Sequence, residues 1–170
     1  MIPVTVAEAA RRFGDRIAYV DEHGWSISYA DIDRISDEVA AGLARDGVRA
    51  GDVVALILPP GIEYLLAYCG AAKLGAITAG VNNRLSDRER TAVLEVARPK
   101  LVIDDTGVVA KLRVTGGAPP PLPDDPDRPV AIIFTSGTTG LPKGALYCNR
   151  QLEFITQTDT GGAWDTGVRS

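Results

Sequence analysis

An uninterrupted apolar run at residues 53–58, Val-Val-Ala-Leu-Ile-Leu, constrains this chain more than any other stretch. No polar residue alternates through it. A strand made from it therefore needs cover on both faces, which is the condition of a parallel sheet sandwiched between helices. Pro59-Pro60-Gly61 stops the run, and a helix is expected over residues 62–74, carrying Leu65, Leu66, Ala67, Cys69, Ala71 and Ala72. A helix apolar on more than one side belongs in an interior. Gly75 closes it, and residues 77–81 supply the next strand. Strand, helix and strand in so short a span make a crossover unit, and the expected class is α/β, a largely parallel sheet flanked by helices.

The flanking sequence repeats the same logic. Residues 5–13 read as a helix with Val6, Ala9, Ala10 and Phe13 on one face. Residues 17–20 and 25–29 read as a hairpin joined through Asp21-Glu22-His23-Gly24, where His23 is a solvated turn residue. Ser28 followed by Asp31 forms a capping box, and Ile32, Ile35, Val39 and Leu43 then draw one apolar stripe. Asp33, Arg34, Asp37 and Glu38 lie off that stripe and are expected on a solvated face. Asn82-Asn83-Arg84-Leu85 is a turn, and Ser86 with Glu89 opens a helix lined by Val93, Leu94 and Ala97, before a short strand at 101–103. Residues 1–104 are thus expected to form an N-terminal α/β subdomain. Residues 105–129 hold Gly107, Gly116, Gly117 and the run Pro119-Pro120-Pro121-Leu122-Pro123, a composition expected of a linker or exposed loop that packs no core. The tail, 151–170, offers a helical turn at 152–155.

Composition narrows the functions. The net charge of −4 over 170 residues gives no electrostatic case for nucleic acid or an anionic membrane. No 18-residue apolar run suggests a membrane span, no leader pattern opens the chain, and a cytoplasmic location is expected. Cys69 and Cys148, with the single His23, give no metal-ligand spacing and no disulfide framework.

The chemistry concentrates in residues 130–150. An apolar, β-branched run at 130–134 breaks into Thr135-Ser136-Gly137-Thr138-Thr139-Gly140-Leu141-Pro142-Lys143-Gly144, then resumes in Ala145-Leu146-Tyr147. Glycines let backbone amides turn inward into an anion-binding concavity. The hydroxyls of Thr135, Ser136, Thr138 and Thr139 add donors, and Lys143 adds a positive charge. A plain hairpin turn needs two to five residues and no such set. A Walker A loop is excluded, because aligning on Lys143 puts Pro142 at a required glycine and Gly144 at the required hydroxyl.

This ten-residue segment resembles the phosphate-binding signature of the AMP-forming acyl-CoA synthetase and adenylate-forming ligase superfamily at every specified position. Weaker similarities run from about residue 5 to 150, including Ser28-Tyr29-Ala30-Asp31, Gly51-Asp52-Val53-Val54-Ala55-Leu56, Ala71-Ala72-Lys73-Leu74-Gly75-Ala76 and Asn83-Arg84-Leu85. The resemblance implies the N-terminal subdomain of such a ligase. It implies an enzyme that forms an acyl-adenylate from a carboxylic acid and ATP with Mg²⁺, releases pyrophosphate, and passes the acyl group to a thiol, usually coenzyme A, with a carrier-protein thiol equally open. Thr135, Ser136, Gly137, Thr138, Thr139 and Gly140 would hold the β- and γ-phosphates, and Lys143 would offset charge on the leaving pyrophosphate. The acid is open among fatty, aryl and amino acids, with fatty acid metabolism one setting. The family's adenine and ribose motifs, its hinge and its C-terminal lysine are not found here, so a fragment inactive alone is expected. The alternative is a non-catalytic phosphate-binding module that pairs with a missing portion or a second copy through the apolar helix at 62–74. Where many members have threonine–histidine–arginine, this chain has Cys148-Asn149-Arg150.

Overall fold

The structure, a computed structural model, describes residues 2–135 and 142–160, with side chains as far as residue 155. Five strands form the central sheet in the order β5-β3-β4-β6-β7: β3 Val53–Leu56, β4 Ile77–Gly80, β5 Leu101–Ile103, β6 Pro129–Thr135 and β7 Lys143–Cys148. The first four are mutually parallel, and β7 runs antiparallel to β6. Ahead of the sheet, α1 (Ile2–Phe13) and the hairpin of β1 (Ile17–Val20) with β2 (Ser26–Ser28) lead into α2 (Tyr29–Arg45). The hairpin turn is closed by the Asp21 carboxylate, which accepts from the amides of His23 and Trp25. His23 is solvent-exposed, as its place in a turn implies.

The uniformly apolar β3 run is explained by its two faces. Val54, Leu56 and Leu58 pack with Leu66, Ala67 and Leu74 of α3 (Ile62–Leu74) and with Val39 and Leu43 of α2. Ala55 and Ile57 point the other way, toward Val93 and Ala97 of α4 (Asp87–Ala97). The α3 crossover leads from β3 to β4 and the α4 crossover leads back past β3 to β5. Right-handed connections running in opposite directions put their helices on opposite faces. Both expected N-caps are present: Ser28 Oγ accepts from the Asp31 amide at 3.1 Å, and Ser86 with Glu89 forms a complete capping box. The helix expected to expose a pairing surface, α3, is instead largely covered, with Leu66, Ala67 and Cys69 to Leu74 buried. Burial pushes its Cys69 thiol up to about 11, which leaves an inert, protonated side chain.

Three further expectations are corrected. Residues 105–129 do not pass outside the core throughout: α5 (Thr106–Leu112), capped by Asp105, buries Val109 and Leu112 against α2 and α3. Gly107 lies inside this short helix, and the other prolines and glycines that suggested a linker begin at Gly116, beyond it. Of the α2 charges expected on a solvated face, Arg34 is exposed, but Asp33 and Asp37 are partly covered, Glu38 is buried, and all three are paired. Lys73 of α3, itself buried, donates to Asp33 Oδ1 at 2.6 Å and Asp37 Oδ1 at 2.7 Å. Glu38 is 1% exposed and receives Arg113 Nε at 2.9 Å, Arg34 Nη1 at 3.1 Å and the Gly116 amide. Helix α2 touches α1, α3 and α5, so positions off its main stripe are covered as well. The tail also carries more structure than one turn, since α6 spans Asn149–Thr160.

Glu38 makes acid stability measurable. Burial pushes its carboxyl pKa up, but the Arg113 pair, the Gly116 amide and Arg34 outweigh this, and the net shift is downward. A carboxylate with a depressed folded pKa contributes stability above the ordinary glutamate range and loses it as pH falls through the folded value. Glu38→Gln is expected to cost about 1–3 kcal/mol at neutral pH, because it leaves Arg113 without its partner. The deficit should shrink in acid, as urea midpoints of parent and variant converge below the glutamate range.

Candidate functional site

Strand β6 enters the sheet beside β4 and leaves it at the carboxyl end of the parallel strands, the side on which open α/β sheets bind ligands. The chain returns along β7 with Pro129 opposite Cys148 and Thr135 opposite Lys143. Thr135 and Lys143 therefore frame the mouth of the connecting loop, and both are exposed. Residues directly opposite on an antiparallel pair put their side chains on one face. Alternation from Ala131, which pairs with Thr78, puts Thr135 and Lys143 on the same face as Thr78. Ser136, Gly137, Thr138, Thr139 and Gly140, expected to hold phosphate, lie outside the described residues.

Beside this mouth lies a cleft of about 540 Å³ between α3, the end of β4 and β6. Tyr64 and Tyr68, one helical turn apart, form one wall; Ile133, Phe134 and Leu152 contribute to the other, with Asn82 and Asn83 at the rim. Thr78 lines the cleft but is engaged in holding β4 to β6, its Oγ1 donating to the Val130 carbonyl at 3.0 Å. Burial pushes the Tyr68 hydroxyl up to about 12 and raises that of Tyr64, so both remain neutral phenols at physiological pH. Tyr64 depends on Gly80, where a Cβ would stand 2.9 Å from the phenol oxygen. The rim is shaped locally: Asn82 Oδ1 accepts from the Arg84 amide at 2.9 Å, and Arg90 reaches over the same turn from α4. No local pattern in the sequence draws the residues of this cleft together. Two tyrosines four residues apart on an otherwise aliphatic helix were the available signal.

Among the described residues no group of three His, Cys, Asp or Glu side chains stands together as a metal site, and no helix is long and apolar enough to cross a membrane. Among the described residues, Thr135 and Lys143 stand exposed at the open end of the parallel strands, next to a largely apolar cleft.

A family profile described as AMP-binding enzyme matches residues 6–166. The chain is 32% identical to the 4-coumarate--CoA ligase CCL1 of Humulus lupulus, over 85% of this chain and 32% of that protein. It is 30% identical to 4-coumarate--CoA ligase 5 of Oryza sativa subsp. japonica, over 81% of this chain and 31% of that protein. The chain thus spans about a third of the length of these curated relatives. Among solved structures, the Klebsiella oxytoca NpsA N-terminal subdomain in complex with 3-hydroxybenzoyl-AMSN superposes with a TM-score of 0.79 at 26% identity, covering 87% of this chain and 41% of that one. The N-terminal domain of FACL13 from Mycobacterium tuberculosis shares the fold, with a TM-score of 0.82 at 24% identity over 99% of this chain and 48% of that one.

Proposed function

Because the chain belongs to the AMP-binding, adenylate-forming enzyme family, we propose that it carries the pyrophosphate-gripping part of an AMP-forming acid–thiol ligase. The observation that carries this is the hairpin mouth, where Thr135 and Lys143 stand directly opposite each other around the family's signature loop. In the proposed reaction a carboxylate oxygen attacks the α-phosphorus of ATP, the bond from that phosphorus to the bridging oxygen breaks, and pyrophosphate leaves with the electron pair. Charge therefore grows on the pyrophosphate. The ammonium of Lys143, the hydroxyl of Thr135 and the loop's hydroxyls and amides would stabilise it by fixed electrostatics rather than covalent chemistry. Coenzyme A would then take the acyl group as a thioester, releasing AMP. Mg²⁺ would offset further charge on the triphosphate; among the described residues no group of three His, Cys, Asp or Glu side chains stands together to hold it.

The 4-coumarate--CoA ligases among the relatives support an aryl acid as the first substrate class to test. Residues 1–170 alone are proposed to bind phosphate without turnover, since positioning acid, nucleotide and a second-domain lysine together is what produces rate. ATP–pyrophosphate exchange, assayed with aryl, fatty and amino acids, is expected at background level for this chain. Robust exchange with any of them would show that the adenylation machinery is complete within it.

A further inference from the structure

The hairpin that carries the loop has an unusual problem of register. Two-residue turns dictate how their strands pair, but the connection here, residues 136–142, is longer than that. Among the described residues β7 is also an edge strand, hydrogen-bonded to β6 and to no outer strand. A slip of one residue would turn Lys143 to the opposite face of the sheet.

The opposite end of the hairpin holds the register. Where β7 runs into α6, the Asn149 amide donates to the Arg128 carbonyl at 3.1 Å, and the Arg150 amide donates to the Pro126 carbonyl at 2.9 Å. The Asn149 side chain, 2% exposed, donates from Nδ2 to the Asp125 carbonyl at 3.0 Å. Arg150 also pairs with Asp127. The end of β7 is thereby tied to the turn that feeds β6, immediately beside the Pro129–Cys148 pair, which a one-residue bulge separates from the regular ladder running from Ala131–Tyr147 to Thr135–Lys143. The Arg150–Asp127 pair is solvent-exposed on both sides and contributes little by itself, so the buried amide of Asn149 is the side chain that matters. Its Oδ1 has no partner among the described protein groups, so the donor and not the acceptor makes the tie.

We propose that Asn149 is a positioning residue for Lys143: by anchoring the base of the β6–β7 hairpin to the Asp125–Arg128 turn it sets the register that brings Lys143 opposite Thr135. Its link to catalysis rests on Lys143 being a phosphate ligand; its link to register does not. The chemistry is specific to one N–H donor in one place. Asparagine and histidine can both supply it; leucine and aspartate cannot.

The test uses residues 1–170 and reads amide hydrogen exchange, the cross-strand proton contact between Thr135 and Lys143, and the affinity for ATP by NMR titration. Asn149→Leu and Asn149→Asp are expected to speed exchange at Ile133 and Ala145 at least tenfold while leaving Leu56 in β3 unchanged. Both should weaken the Thr135–Lys143 contact and lower ATP affinity several-fold, and Asn149→His should restore all three. Lys73→Met, which breaks a buried tie between α2 and α3, should shift exchange across the domain evenly and leave ATP affinity alone. The proposal is overturned if Asn149→Asp or Asn149→Leu keeps the parent's ladder exchange and cross-strand contact, or if either changes every core amide equally. If the parent chain itself binds no ATP, the phosphate assignment fails, while exchange and contact still decide whether Asn149 sets the register.

Discussion

Lys143→Ala is expected to remove most of the chain's affinity for triphosphate, by tenfold to a hundredfold, without moving its melting temperature. The size follows from one charge-assisted interaction, about 1.5–3 kcal/mol. The lack of a thermal effect follows from position, since Lys143 is exposed at the start of an edge strand and forms no ion pair among the described residues. Titration of parent and variant with ATP and with inorganic triphosphate checks both halves. Because the probe without adenine should lose as much as ATP, the comparison assigns the loss to the phosphates. Equal binding by parent and variant would remove Lys143 from the site.

Gly42→Ala is expected to be the most damaging conservative change in the fold. A methyl group there would fall 1.6 Å from the Leu112 carbonyl oxygen, which is backbone and cannot swing aside. Helix α5 must then lift from α2, exposing Val109 and Leu112 and disturbing the Arg113–Glu38 pair beside them. Forced overpacking of this kind costs about 3 kcal/mol. In a chain of this size that lowers the melting temperature by roughly 6–12 °C. Thermal unfolding followed by circular dichroism reads it directly, and a shift within a degree would mean that α5 does not dock where the structure puts it.

Such contacts mark the boundary of what sequence can show. The β3 run and the α3 helix declared a buried crossover because nothing polar interrupts them, and Ser28 and Ser86 declared helix starts because their partners lie three residues on. These are local signals, and each survives in the folded chain. The misses share a different cause. Glu38, Asp33 and Asp37 look solvated in a pattern that sees one helix at a time; their partners Arg113 and Lys73 lie far along the chain and meet them only after α2 is surrounded. Helix α5 was hidden because proline and glycine further along dominated its window. The candidate site divides in the same way. The composition of its loop is a local pattern that sequence displays, since no simple turn needs four hydroxyls and a lysine. The opposition of Thr135 to Lys143, the two tyrosines of the neighbouring cleft and the tie at Asn149 depend on register and crossover geometry, which no local pattern encodes.

An NMR titration of residues 1–170 with ATP, set against adenosine, tests most directly whether this hairpin mouth binds the phosphates of a nucleotide. Saturable shifts are expected at Thr135, at Lys143 and at the amides of the loop between them, with adenosine producing none at these positions. Shifts confined to other elements, or equal shifts with adenosine, would contradict phosphate binding there.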